Sequence, residues 1–287
     1  MRDELRELWK FRELLVTMVQ RDLKIRYKNS ALGFIWSLLN PLITVMVMSF
    51  VLSNFVYRDI PNLSAYVLAA YLPFMFFQLS VLDSAQTILG SMPLIKKIYF
   101  PREILPIASV ISNFIHLVLA FAVFFAYLLL VWIIFPGDFP FQVGTLFLPL
   151  LLVIMFCLSL GLAFFISALN TFYEDVKYLV SVGLYLMFFL SPIMYFSEQV
   201  ANAPLNQQTG GLIYRLYHIL NPVASLATAF RKTLLAPQQG VPTPQGMVAP
   251  LPLDWRYVAI AGVVSVAVLI SGYSTFNRLK WKFVERP

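Results

Sequence analysis

The sequence predicts an all-α membrane protein that crosses the bilayer six times, and three observations predict it. Of its 287 residues, 60% are hydrophobic and only 12% are charged, about half of the roughly 25% charge of an ordinary soluble domain; mean hydropathy is +0.77. Apolar runs of about 20 residues, the length needed to cross ~30 Å of hydrocarbon, recur along the chain. Lys and Arg gather in alternate connecting segments, which is the pattern that sets membrane topology.

Residues 1–30 predict an amphipathic interface helix. Leu8, Phe11, Leu15 and Val19 recur at three- and four-residue steps, with Arg6, Glu7, Lys10, Arg12 and Glu13 around them. Such a helix lies in the interfacial plane with its basic face toward headgroups; packing on a partner protein is the alternative. Its charges alternate in sign and no short apolar core with a small-residue cleavage site follows, so a signal peptide is not expected. The stretch RDLKIRYKNSALGFIWSLLNP then turns abruptly from cationic to apolar, marking where the chain enters the bilayer.

Five spans are expected within residues 31–196: 31–55, ending near Arg58 and Asp59; 64–90, with Asp83 toward its far end; 104–135; 144–170; and 178–196. Pro41, Pro73, Pro149 and Pro192 fall inside four of them, each removing a backbone donor and bending its helix. Kinked, aromatic-rich spans suit a bundle that encloses a path, although packing kinks alone account equally well for any one proline. Residues 197–256 form the longest interruption. In GGLIYRLYHILNPVASLATAFRKTLLA two short apolar helices flank Asn221–Pro222, each too short to span, which predicts a re-entrant pair dipping into the outer leaflet. The Pro/Gln/Gly-rich remainder, 236–254, is expected to be an extended surface loop. A sixth span, 257–276, and a tail, 277–287, complete a single transmembrane domain over 1–287.

Eight Lys and Arg precede the first span, three lie in the turn 91–103, one is Lys177 and four follow the last span, against five on the opposite side. Both termini are therefore expected in the cytoplasm. The net charge of +7 is explained by topology and anionic headgroups, so no nucleic-acid partner is expected. The lone Cys157 cannot form an intrachain disulfide. His116 and His218 have no carboxylate or Cys at ligand spacing, so no metal site and no catalytic residue is expected, and His116 reads as an interior hydrogen-bonding residue. No phosphate loop of the Gly-x-x-x-x-Gly-Lys-Ser/Thr type occurs.

The turn SMPLIKKIYFPREILP carries the most information. Pro93 and Pro101 bracket Lys96, Lys97, Ile98, Tyr99 and Phe100, an apolar-aromatic cluster flanked by charge that reads either as a docking knob or as a helix end at headgroup depth. The next turn on the same side, NTFYEDVKYLV, offers Glu174 and Asp175 as a second contact.

These motifs, with LSPIMY and YHILNPVASL further on, resemble the permease subunit of type-two ABC exporters of lipid-linked polysaccharides, the family that exports O-antigen, teichoic-acid and capsular chains. The resemblance spans nearly the whole chain except 236–254. It implies a homodimer in the cell inner membrane that docks two copies of a separate P-loop ATPase and handles a lipid-linked glycan, O-antigen-like in the first instance and teichoic-acid or capsular as the alternative. This chain would bind no cofactor; ATP and Mg would sit on the partner. Leu94, Ile95, Lys96, Lys97, Ile98, Tyr99, Phe100, Pro101, Arg102 and Glu103 would form the coupling helix. The first and fifth spans would line the channel, and the residues after Gly210, including Tyr214, Tyr217, Asn221 and Pro222, an outer gate.

A processive path for a hydroxylated chain favours aromatic faces that grip weakly over tight subsites. Tyr27, Phe34, Trp36, Tyr185 and Tyr195 are expected on it, with Arg21, Lys24, Arg26 and Lys28 as a cationic collar at the entrance; each aromatic also suits an interfacial belt. Two rival classes remain. A membrane enzyme acting on lipid-linked sugars needs converging acidic or histidine residues, which are scattered here, and a passive channel or scaffold needs no ATPase partner.

Overall fold

The computed structural model describes residues 2–27, 35–55, 57, 60, 62–134, 142–237, 240–243 and 246–284. Lys28, Phe34, Arg58 and Asp59 lie outside the described residues.

The N-terminal region forms two helices, α1 (Arg2–Lys10) and α2 (Arg12–Tyr27), with a break at Phe11. Met18 and Val19 are buried in a cluster with Ile107, Ile111 and Ile115. Part of the apolar stripe expected to face lipid therefore packs on the chain's own long helix. α3 (Ile35–Phe55) and α4 (Leu63–Ala85) follow, then the one-turn helices α5 (Thr87–Gly90) and α6 (Met92–Ile95), and the 31-residue α7 (Ile104–Ile134). A 3-10 turn (Val143–Phe147) leads into α8 (Leu148–Phe172), and α9 (Val176–Leu190) follows.

Past α9 come four short helices: α10 (Ser197–Ala201), α11 (Pro204–Gln208), α12 (Leu212–Leu220) and α13 (Pro222–Leu234). α14 (Trp255–Leu279) and a 3-10 turn (Lys280–Val284) end the described chain. By length and composition four helices are able to cross a membrane, Leu63–Ala85, Ile104–Ile134, Val143–Phe172 and Trp255–Phe283, alongside the shorter apolar helices Leu39–Phe55 and Val176–Leu190.

Four expectations change. The chain is not wholly helical: within the Pro-rich segment β1 (Val241–Thr243) pairs antiparallel with β2 (Gly246–Val248), with Val241 opposite Val248. The helix expected over 178–196 stops at Leu190, because Ser191 precedes Pro192 and takes an extended backbone (φ −106°, ψ 146°), as a residue before proline favours. Pro149 is not interior but lies in the first turn of α8, where its missing N–H costs nothing. The second span closes at Ala85 rather than running on to Gly90. Pro41 and Pro73 do lie inside α3 and α4.

α4 is the central helix, buried along most of its length and packed by α3, α7, α8 and α13. α8 and α14 approach most closely. A methyl group on Gly161 would stand 2.6 Å from the Leu269 nitrogen, and one on Gly272 would overlap the Gly161 carbonyl oxygen. Two backbones meet there with no side chain between them, the arrangement small residues allow in membranes.

The described chain ends share one end of the bundle. There Tyr99 bonds Glu7, Lys280 meets Glu103, and the Phe172 and Phe283 rings lie 5.8 Å apart. At the far end the Ser64 and Tyr127 hydroxyls are 2.7 Å apart, and Phe147 packs on Trp255.

Candidate functional site

Three groups of residues concentrate the polar chemistry of this apolar chain. The first is the turn between α4 and α7, which the structure divides by exposure. Lys96, Lys97, Ile98 and Tyr99 stand at the tip, with Ile98 58% and Tyr99 72% exposed. Leu94, Pro101 and Arg102 are half-buried, whereas Ile95, Phe100 and Glu103 are buried. The predicted aromatic knob is thus split: Tyr99 points outward and Phe100 (5% exposed) joins the core.

The Tyr99 hydroxyl donates to Glu7 Oε1 at 3.1 Å, and that bond, with the carboxylate's charge, holds the phenol above its ordinary value. Glu103 is paired with Lys280 at 2.6 Å. Beside the turn, Glu174 and Asp175 are exposed. Asn170 fixes that neighbouring connection, donating to the Ala85 carbonyl at 2.8 Å and accepting the Lys177 N–H at 3.0 Å.

The second group lies where α2 meets the spans. Arg26 Nη2 donates to Asp83 Oδ2 at 2.7 Å, Nη1 donates to Asn113 Oδ1 at 2.9 Å, and Asn113 Nδ2 donates to the same Asp83 oxygen at 3.0 Å. Both terminal nitrogens of Arg26, both amide atoms of Asn113 and Asp83 Oδ2 are thereby joined in one charge-assisted network. On one side a cavity of about 390 Å³ is bounded by Arg26, Trp36, Asn40, Asp83, Asn113 and His116 over apolar Leu72 and Phe76. On the other a cavity of about 510 Å³ is bounded by Arg21, Asp22, Gln86 and Ser112. Both have the size and mixed lining of a ligand site.

The entrance set does not converge as one patch. Arg26 and Trp36 share a cavity, Arg21 bonds Asp22 at 2.9 Å, and Lys24 and Tyr27 are exposed. Tyr185 stands 62% exposed on α9, packed edge-on against Phe189, and Tyr195 belongs to the far end.

The third group is at that far end, centred on α13. Arg231 is buried and donates to three backbone carbonyls: Nε to Tyr66 at 3.1 Å, Nη1 to Tyr195 at 2.9 Å and Nη2 to Ile193 at 2.8 Å. Its guanidinium also lies over the Phe196 ring. Next to it Lys232 pairs with Glu198 at 2.7 Å and donates to the Leu251 carbonyl at 2.7 Å, while Glu198 accepts the Leu251 N–H at 3.1 Å.

Tyr66 donates to the Ala236 carbonyl, and Gln199 to that of Pro242 at 2.8 Å. The Pro-rich segment is thus strapped down by named bonds. Tyr217 shares a 2.9 Å hydroxyl bond with Tyr195, and the Tyr214 N–H donates to Asn206 Oδ1 at 2.8 Å. Asn221 caps α13 by accepting the Ala224 N–H at 3.0 Å and donates to Leu190, the last residue of α9, at 3.2 Å, with Pro222 in the first turn behind it. Among the described residues no group of three or more His, Cys, Asp or Glu side chains is gathered for a metal.

A family model for the ABC-2 type transporter matches residues 13–235. The chain belongs to the ABC-2 type transporter family. This ABC-2 chain is 30% identical over 280 residues to an O-antigen export system permease protein, RfbA, of Myxococcus xanthus, covering 98% of this chain and 97% of that one. It is 27% identical over 273 residues to the RfbA of Klebsiella pneumoniae, covering 95% and 94%. To the polysialic acid transport protein KpsM of Escherichia coli it is 22% identical over 180 residues, 61% of this chain and 67% of that one.

In this ABC-2 chain, sequence reasoning passed over the partners that fix the site. Arg231 and Lys232 served only as topological counts, yet a cationic pair embedded in ATAFRKTLLA, with an acid shortly after LSPIMY, was a usable signal for a buried polar cluster. Asp83 and Asn113 sit on different helices, and nothing in their spacing points to Arg26.

Proposed function

We propose that this ABC-2 type chain is the membrane subunit of an ATP-driven exporter that moves a polysaccharide, carried on a lipid and O-antigen-like, out of the cytoplasm. The observation that carries this reading is the near full-length likeness to two proteins named as O-antigen export permeases, at 95% and 98% of this chain. Capsular polysaccharide export is the second reading, supported by the shorter match to a relative named as a polysialic acid transport protein.

In this reading one transmembrane domain of six spans counts α3 and α9 as the first and fifth, lies in the inner membrane with both termini in the cytoplasm, and keeps α12–α13 as a re-entrant pair on the outer side. A separate P-loop ATPase binds and hydrolyses ATP with Mg. It docks at the exposed tip Ile98–Tyr99, with Glu174 and Asp175 alongside.

A second copy completes the pathway. α3 leaves Ile43, Met46, Val47 and Phe50 exposed, and α9 leaves Tyr178, Val182, Tyr185 and Phe189 exposed, each at helical spacing. Such apolar, aromatic-bearing faces suit a weakly gripping glycan path between two copies. Arg21, Lys24, Arg26, Tyr27, Lys28, Phe34 and Trp36 serve as the entrance. Because Arg26 is already committed to Asp83, it meets a carrier phosphate only by exchanging that partner, so the exposed Lys24 supplies the readily available charge. On the outer side Tyr195, Tyr214, Tyr217, Asn221 and Pro222 form the gate.

The deciding experiment deletes the gene and follows lipid-linked glycan. Cytoplasmic accumulation of the finished glycan, relieved by re-expressing this chain alone and, in a strain lacking the ATPase as well, only by supplying both, is the expected result. Normal surface glycan in the deletion strain would overturn the proposal.

A further inference from the structure

A partner that pushes on Ile98 and Tyr99 moves whatever the base of that turn is fastened to. Chain continuity fastens it to α7 through Ile104. It is also fastened to the opposite end of the sequence. Glu103 meets Lys280 at 2.6 Å, with side chains only 3% and 12% exposed, and Lys280 directly follows the last residue of α14. The Arg102 guanidinium lies over the Phe283 ring at 5.9 Å. Phe100, Phe276 and Phe283 belong to one buried cluster. By contrast the Tyr99–Glu7 bond to α1 is solvent-exposed.

A buried, charge-assisted contact resists displacement where an exposed one is exchanged with water. Glu103 Oε2 has no hydrogen-bond partner among the described residues, so the Lys280 contact at Oε1 is the carboxylate's direct ion pair, with the Arg102 charge nearby. α14 in turn touches α8 backbone to backbone at Gly161 and Gly272. A shift of α14 is therefore passed to α8 without side chains to absorb it. Lys280 lies beyond residues 13–235, the span of the family match.

We infer that Lys280 is a positioning residue for energy coupling: through Glu103 it makes the last membrane helix a second lever, driven by the same turn that drives α7. The inference rests on the reading that this turn docks the ATPase.

The test reconstitutes the full chain with its ATPase in lipid vesicles and measures ATP hydrolysis and glycan export together, for native protein, K280M, K280R, E103Q and the swap E103K/K280E. The expected result is that K280M and E103Q retain the ATPase on purification and keep hydrolysing ATP. Their export per ATP falls by on the order of tenfold, the size of a typical coupling free energy. K280R retains coupling, and the swap recovers part of what either single change loses.

Unchanged export per ATP in K280M overturns the inference. K280M leaves a buried carboxylate alone and lowers the melting point, so the ratio is read on inserted protein at a temperature where every variant stays folded; a swap that folds normally but couples no better than the single variants also overturns the inference. Loss of the docking reading itself appears elsewhere: I98D/Y99D would then retain the ATPase, a result that leaves the Lys280 ratio unaffected.

Discussion

The Glu198 carboxylate meets the Lys232 ammonium at 2.7 Å, with side chains only 2% and 17% exposed. Burial pushes this carboxyl up, but the lysine charge, its hydrogen bond and the Leu251 N–H outweigh burial and hold it below the ordinary 4.5. A carboxyl lowered in the folded state stabilises that state fully above its unfolded value, and the contribution disappears as pH falls through the folded value. Thermal unfolding in detergent between about pH 6 and pH 3 should therefore show a loss of stability beginning below 4.5. E198Q should flatten that slope. K232M leaves a buried carboxylate alone and should cost about 3–5 kcal/mol at neutral pH, seen also as faster proteolysis of the 236–254 segment.

If the ATPase docks as proposed, the split of the turn between α4 and α7 into exposed Ile98–Tyr99 and buried Phe100 separates docking from folding. Ile98 and Tyr99 are exposed, so I98D and Y99D should leave thermal stability within about 0.5 kcal/mol of native while abolishing co-purification of the ATPase. F100A removes a buried ring and should cost about 3–5 kcal/mol, with the ATPase lost only as the chain unfolds. Equal thermal midpoints for F100A and Y99D would contradict the assignment of inside and outside faces.

The contact of α8 with α14 predicts opposite signs for alanine at neighbouring glycines. G161A and G272A drive a methyl into backbone and should destabilise by about 1–3 kcal/mol or more. At Gly262 on the same helix a methyl would meet only the Ile154 side chain at 3.6 Å, ordinary contact. G262A should be neutral or raise stability by up to about 1 kcal/mol, since alanine is the better helix former. Thermal midpoints of the three variants, measured side by side, check this.

The Arg26–Asp83 pair is partly exposed, at 32% and 38%. Its coupling should therefore be about 1 kcal/mol rather than that of a buried pair. A double-mutant cycle on R26Q and D83N should return that value, with the double variant more stable than additivity of the two single changes allows. A coupling near zero would mean that α2 is held by its apolar packing, centred on Met18 and Val19, rather than by this pair.

Much of this fold was legible in the sequence because it depends on local composition. The long apolar runs, the break at Asn221–Pro222 and the short connecting turns all follow from which residues water rejects and which backbones proline permits. Where a local rule was applied loosely the outcome differed. Pro149 and Pro192 stand at helix boundaries rather than inside helices, as the stereochemistry of proline and its preceding residue dictates. The candidate site was less legible, since its contacts join residues far apart in the chain. Arg26 finds Asp83 and Asn113, Glu103 finds Lys280, and Arg231 finds the carbonyls of Tyr66, Ile193 and Tyr195. Only packing brings these together. The Pro-rich segment was misread for the same reason: its hairpin and its fastening to Leu251 and Pro242 depend on partners supplied by α10 and α13.

The three carbonyls held by Arg231 bear on how this end of the bundle is held together. Two of them, from Ile193 and Tyr195, belong to the stretch that has left helical geometry at Ser191, and the buried guanidinium supplies the donors that the helix no longer does. Rewinding α9 through this stretch, or sliding it against α13, would take two of the three acceptors away from a buried guanidinium at once. The end of α9, the start of α4 and α13 are thereby indexed to one another like parts keyed to a common shaft. Any movement at this end that keeps these bonds must carry all three elements together.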